Sequence, residues 1–303
     1  MKPLNALFFF LLVIALAACS KENDDLSGVQ DIPGLGGDTW VEDSLDQWLY
    51  DSLTVPYNIE VKYKWDQFEF DVTKTLVPPK EEVVIPAMQA ITKVWIDNYI
   101  KYAGELFFKK YSPKFFILSG SASWNDNGTI TLGTAEGGRK VVMYLLNEFR
   151  TKGMDGYQLG DTANVKQIFH VIEHEFGHIL HQNIMYPSEF KKISVGLYTA
   201  NWNNIYDSDA HQDGFVTAYA MSSENEDFVE MIATMLIEGK EGFDRIVNSV
   251  QDKTSDNGTT QAQAVAALRQ KEAMVVNYYK SAYDVDFYAL QKATRDSINA
   301  LFY

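Results

Sequence analysis

Five histidines occur in the 303 residues, and four of them, His170, His174, His178 and His181, fall between residues 164 and 182 together with Glu175. His174-Glu175-Phe176-Gly177-His178 has the form HExxH. On a helix, two imidazoles four residues apart stand one turn apart on one face and can bind a single Zn²⁺. The glutamate between them then lies beside the water that such an ion holds, and can take its proton. Val165, Ile168, Phe169, Ile172, Phe176, Ile179 and Leu180 recur with the spacing of a helix that buries one stripe, and the four histidines fall on the opposite stripe. His170 and His181 read as ordinary hydrogen-bonding histidines. His181 follows His174 by about 10 Å of helix rise, too far to share one ion on a straight helix.

A catalytic zinc needs three protein ligands and an open position. The pattern HExxHxxGxxH would require glycine at 181 and histidine at 184, where the chain has His181 and Ile184. The other solution takes a glutamate from a second helix. From Ser222 to Leu236, Phe228, Ile232, Met235 and Leu236 form a buried stripe, while Glu226 and Glu230, four apart, share another. One carboxylate can bind metal while the other accepts the free N–H of a ligand histidine and fixes its tautomer. Glu226 also fits a capping box with Ser223, and acidic residues in a first turn favour the helix dipole. Glu224, Asp227 and His211 are the competing ligands.

The elements that must position these residues follow from periodicity and breakers. Residues 42–53 are expected as a short helix ended by Pro56, and 59–65 as a half-buried strand. Pro78-Pro79 precedes a helix from Pro86 to Leu106 with Pro86 in its first turn. Phe115–Leu118 and Thr129–Leu132, joined through the turn residues Asn125-Asp126-Asn127-Gly128, are expected as a hairpin. Arg139 to Phe149 fits either strand or helix. After an irregular segment over 186–214, helices are expected near 224–238, 241–249, 260–280 and 285–301. This divides the chain into an N-terminal α/β lobe, 39–160, and a helical lobe, 161–303.

The N-terminus reads as a secretory signal over 1–18: Lys2, an apolar run from Leu7 to Ala15, then Leu16-Ala17-Ala18-Cys19. The run is too short to span a membrane. Small residues before a cysteine resemble the lipobox of bacterial lipoproteins, which implies lipidation of Cys19. That is the one cysteine of the chain, so no disulfide can form. Residues 19–38 are polar, acidic and glycine-containing, and read as a flexible tether. The acidic cluster after Cys19 resembles the surface-export signal of Bacteroidetes lipoproteins. The net charge of −15 becomes −16 once Lys2 leaves with the signal, and disfavours nucleic acid as a partner.

The segments EHEFGHILHQ (173–182) and DGFVTAYAMSSENEDFVEMIA (213–233) together resemble the zinc metallopeptidases found as lipoproteins in Bacteroidetes, some associated with outer-membrane nutrient import. The second segment also resembles the active-site region of anthrax lethal factor, a gluzincin. That pattern carries a tyrosine seven residues before the ligand glutamate and a glutamate four after it, matched here by Tyr219, Glu226 and Glu230. The resemblance implies an α+β, zincin-like metalloprotease fold with an N-terminal mixed sheet and helix lobe and a largely helical C-terminal lobe. It also implies one Zn²⁺ per chain held by His174, His178 and Glu226. Glu175 would be the general base, Glu230 would stand behind a ligand histidine, and Tyr219 would donate its hydroxyl to the oxyanion. By analogy with zincin proteases, one strand would bind extended substrate along its edge. The expected partners are a peptide or protein substrate, a membrane reached through the lipid anchor and an outer-membrane import complex, which places the chain at the outer membrane, facing the cell surface, with the periplasmic face as the alternative. A non-catalytic accessory lipoprotein of an importer is the alternative; the intact Glu175 speaks against it. A non-peptidic amide hydrolase would use the same residues.

Overall fold

The chain begins its first helix, α1 (Ser44–Leu49), on a reciprocal cap in which Asp43 accepts the Leu45 and Asp46 N–H groups and Asp46 accepts that of Asp43. The computed structural model describes residues 42–303, apart from 67, 72, 126–129, 132 and 137–139, and gives only the backbone of 133–136. The expected signal 1–18, the lipidated Cys19, the tether 19–38 and the turn residues 126–128 lie outside the described residues. From α1 the chain continues through a π segment, Tyr50–Thr54, into Val55–Tyr57, so Pro56 sits inside the last turn; left-handed Asn58 then turns the chain. Of the alternating residues 59–65, only Glu60–Lys62 pair, as β1.

Pro86 lies in the interior of its helix, contrary to the expectation of a first-turn position. The helix α2 spans Glu81–Ile91, starting on the acidic pair Glu81 and Glu82. Proline there removes the hydrogen bond to the Glu82 carbonyl, while Val84, Ala87 and Met88 around it are fully buried. After a π segment (Thr92–Ile96) comes α3 (Asp97–Ala103), which Gly104, at φ 93°, separates from α4 (Glu105–Tyr111). The single helix expected to reach Leu106 is therefore broken where only glycine adopts the required backbone readily.

The strands are β1, β2 (Phe115–Leu118), β3 (Ser123–Trp124), β4 (Ile130–Thr131), β5 (Gly133–Glu136) and β6 (Lys140–Met143). The main sheet has the order β1-β2-β6-β5, with β1, β2 and β6 parallel and β5 an antiparallel edge. The hairpin expectation is half right: Ile130–Thr131 pairs with Ser123–Trp124, while Phe115–Leu118 lies inside the main sheet. The reason is its composition. Phe116 and Leu118 face the main core, and Phe115 and Ile117 pack on the other side with Val142, Tyr144 and Leu76. A strand apolar on both faces belongs in the middle of a covered sheet. Over 139–149 the strand reading holds for β6, followed by a 3-10 turn, Leu146–Glu148.

From residue 161 the described elements are helical: α5 (Asp161–Asn183), α6 (Asp207–Gln212), α7 (Glu224–Ser249), α8 (Gln261–Tyr283) and α9 (Phe287–Asn299). The two helices expected over 224–249 run on as α7, kinked at Gly239, which has φ 68°. One apolar core extends from Leu45 to Phe302 and joins sheet and helices. Phe176, on the back of α5, meets the rings of Trp95, Tyr99 and Phe108, which anchors the histidine helix to the π segment Thr92–Ile96, α3 and α4. The class is α+β, as expected.

Candidate metal centre

Helices α5 and α7 pack face to face, and Gly177 is what lets them approach. A Cβ there would lie 3.1 Å from Val229 Cγ1 and 3.2 Å from its Cβ, so even alanine would press on α7. Val229 sits between Glu226 and Glu230, which α7 turns toward the histidines of α5.

Three atoms converge between the helices. His174 Nε2 and Glu226 Oε2 are 3.0 Å apart, His178 Nε2 and Glu226 Oε2 are 3.3 Å apart, and the two Nε2 atoms are 3.2 Å apart. Ligands on a tetrahedral zinc with bonds of 2.0–2.1 Å stand about 3.3 Å from one another. The triangle therefore has the size and the donor chemistry of a zinc site.

The opposite ring nitrogens show which tautomers are held. His174 Nδ1–H donates to Glu230 Oε1 at 2.7 Å, and His170 Nε2–H donates to the same oxygen at 2.9 Å. The Thr217 hydroxyl donates to Glu230 Oε2 at 2.6 Å. With His174 Nδ1 bonded to Glu230, Nε2 is the nitrogen that faces the triangle. His170, His174 and Glu230 also form a close group, but their 2.7 and 2.9 Å contacts are those of charge-assisted hydrogen bonds rather than of two ligands on one ion.

His178 Nδ1 is 2.9 Å from His181 Nε2. His181 is buried against Tyr186 and Phe228. Burial, reinforced by the neighbouring His178, pushes its pKa down to about 4, so the ring is neutral and its Nε2 is able to accept from His178 Nδ1. His181 thus does for His178 what Glu230 does for His174.

Electrostatics favour cation binding. Burial works against a charged His174, but the hydrogen bonds it donates to Glu226 and Glu230 outweigh it and push its pKa up to about 10. Burial would raise Glu226 and Glu230, yet their bonds to His174, with His178 on Glu226 and His170 on Glu230, hold both carboxyls far below the usual range. The same concentrated negative charge suits a divalent ion.

The competing ligands are placed elsewhere. Asp227 is fully buried and engaged by Lys271 and the Tyr198 hydroxyl. His211 is held through both nitrogens, by Ser249 Oγ and the Val216 carbonyl. Ser223 does accept the Glu226 N–H at 3.3 Å; the Glu226 carboxylate, however, reaches the histidines rather than completing a capping box.

Glu175 and Tyr219 line the cavity of about 1040 Å³ that opens over His174. Tyr219, in a 3-10 turn (Tyr219–Ser222), lays its ring on that of His174 with centroids 5.7 Å apart. Burial, then the charge and hydrogen bond of Glu226, raise its pKa, so the phenol keeps its proton as a donor. Reading the sequence missed the parts of His170, His181 and Thr217. The signals were the spacings of four before His174 and three after His178; Thr217 left none.

Residues 38–288 match the family described as "Putative zinc-binding metallo-peptidase". Among solved structures, the chain is similar to a crystal structure described as a putative zinc-binding metallo-peptidase from Bacteroides caccae, at 33% identity and a TM-score of 0.68, covering 85% of this chain and 92% of that one. No curated protein matches the sequence significantly.

Proposed function

The chain belongs to this family of zinc-binding metallo-peptidases, and from that premise we propose that it is a gluzincin-type peptidase whose zinc is held by His174, His178 and Glu226. The observation that carries the proposal is the triangle of two Nε2 atoms and one carboxylate oxygen at 3.0–3.3 Å. Bound there, zinc would polarise a substrate carbonyl and acidify a water. Glu175, in the cavity beside His174, takes the proton of the attacking water and returns it to the leaving amine. The protonated Tyr219 hydroxyl donates to the carbonyl oxygen as negative charge develops on it. Glu230 and His181 keep the two imidazoles in the tautomer that leaves Nε2 free. The antiparallel strand β5, which packs on α5 and is an edge of the sheet among the described residues, would take up an extended peptide along that edge.

The lipidated Cys19 would hold the enzyme at the outer membrane, facing the cell surface, in the service of a nutrient-import system. Cys19→Ala should release the protein from membranes, as fractionation will read. For the chemistry, the purified protein should contain about one zinc per chain and cleave members of a peptide library. Glu175→Gln should keep the zinc and lose cleavage, because the amide has the same shape and is no base. Wild-type turnover by that variant would refute the general-base role.

A further inference from the structure

The two carboxylate oxygens of Glu230 face different neighbours. Oε1 accepts from His174 Nδ1 and His170 Nε2, while Oε2 accepts the Thr217 hydroxyl at 2.6 Å. Thr217 precedes Tyr219 by two residues. Its hydroxyl oxygen also accepts the Ala220 N–H at 3.1 Å, in the way a threonine caps a helix end through its side chain. Ala220 belongs to the 3-10 turn Tyr219–Ser222. One hydroxyl therefore holds the backbone of that turn with its lone pair and the carboxylate behind the metal centre with its proton. Tyr219 lies between the two residues so bridged.

Other ties hold the same stretch. Asp207 Oδ1 accepts the Ala218 N–H at 2.7 Å, and His211 Nε2 stands 3.0 Å from the Val216 carbonyl oxygen. These run to α6, whereas Thr217 runs to α7 and to the carboxylate that orients His174. Tyr219 needs such a hold. It is 38% exposed, with His174 against its ring at 5.7 Å and the edge of Trp202 at 4.8 Å, so its direction depends on the turn that carries it. We propose that Thr217 is a positioning residue: through Glu230 it ties the Tyr219 turn to His174, and so sets where the Tyr219 hydroxyl stands relative to the metal. The proposal rests on the peptidase reading for the part Tyr219 plays, and deepens it by joining oxyanion donor and metal site into one unit. Loss of the Thr217 hydroxyl should displace Tyr219 while leaving every group that touches substrate in the chain. Linkage adds a second consequence: a tie that passes from turn to metal also passes from metal to turn. An ion that fixes His174 should, through Glu230 and Thr217, hold the Ala220 N–H more firmly.

The test reads both directions on the full chain. Hydrogen exchange of the Ala220 amide, followed by NMR with and without saturating zinc, reads the tie without reference to activity. Zinc should slow that exchange by about 10-fold in the wild type and by less than about 2-fold in Thr217→Val, with Thr217→Ser restoring the protection. Protection by zinc that persists in Thr217→Val, or that the wild type lacks, overturns the tie. Steady-state kinetics of the zinc-loaded variants on a cleaved peptide read the positioning. Thr217→Val should lower kcat by about 10-fold, within what a misplacement of about 1 Å costs, and leave KM within about 2-fold. Thr217→Ser should recover most of the rate. In the Tyr219→Phe background the same Thr217→Val change should cost less than about 2-fold, because the hydroxyl it positions is already gone. An equal loss with and without the Tyr219 hydroxyl overturns the positioning role. The two readouts separate the claims. Zinc-dependent protection of Ala220 in a chain that cleaves no peptide sinks the peptidase reading and leaves the tie standing, whereas cleavage with independent losses at Thr217 and Tyr219 sinks the positioning role alone.

Discussion

Gly177→Ala isolates the helix contact on which the metal centre depends. The added methyl would meet Val229 Cγ1 at 3.1 Å, where ordinary contacts begin near 3.4 Å, with Val229 Cβ at 3.2 Å and Ile232 Cδ1 at 3.5 Å beyond it. Both neighbours are fully buried, so α7 has to move back by a few tenths of an ångström. Overpacking of this kind costs about 1–3 kcal/mol, and the better helix propensity of alanine offsets about 1 kcal/mol of it. The apo protein should therefore lose only about 0–2 kcal/mol in urea unfolding. Zinc affinity should suffer more. Val229 stands between Glu226 and Glu230, and a metal site tolerates displacements of only about 0.2 Å in its ligand distances. A chromophoric chelator competition should show binding weakened by about 10-fold or more, on the scale of losing an outer-shell partner. Val229→Ala in the same chain removes the closest contact, Cγ1, but keeps Cβ at 3.2 Å, so it should restore part of the affinity. Wild-type affinity in Gly177→Ala, or no recovery in the double variant, would refute the claim that this contact sets the spacing of the ligands.

Glu226→Ala should abolish tight zinc binding, while Glu230→Ala should weaken it by about 10–100-fold; the reverse order in metal titration would reassign the ligand. Lys271→Met should cost about 3–5 kcal/mol, because it strands the fully buried Asp227 that Lys271 holds at 2.7 Å. Adding Asp227→Asn should recover a large part of that loss in urea unfolding, and failure to recover would mean the pair is not the source. Burial, opposed by the Tyr99 hydroxyl that donates to Glu173 at 2.8 Å, pushes the Glu173 pKa up to about 8 from 4.5. Between those values the native state binds more protons than the unfolded chain, so stability falls as pH rises through that window, by on the order of 3 kcal/mol by pH 7. Glu173→Gln should remove this slope in unfolding curves at pH 5 and 7.5; an unchanged slope would show that Glu173 is not its origin.

Reading the residues alone was enough for everything carried by the repeat of a single helix. The apolar back and imidazole front of α5, and the shared face of Glu226 and Glu230 on α7, follow from 3.6 residues per turn, which is a local property of the backbone. The register of Tyr219 with Glu226 came from resemblance, and the structure brings both to His174. What periodicity could not decide was which faces meet. Glu173 and Glu230 are equally buried glutamates; one enters an aromatic core with Tyr99 and Tyr279, the other gathers His170, His174 and Thr217, and only the packing of α5 against its neighbours separates them. His181 read as an ordinary histidine because its partner is a ring nitrogen rather than a metal. Phe115–Leu118 read as a hairpin arm because turn chemistry is local, whereas its place between β1 and β6 depends on burying both of its faces.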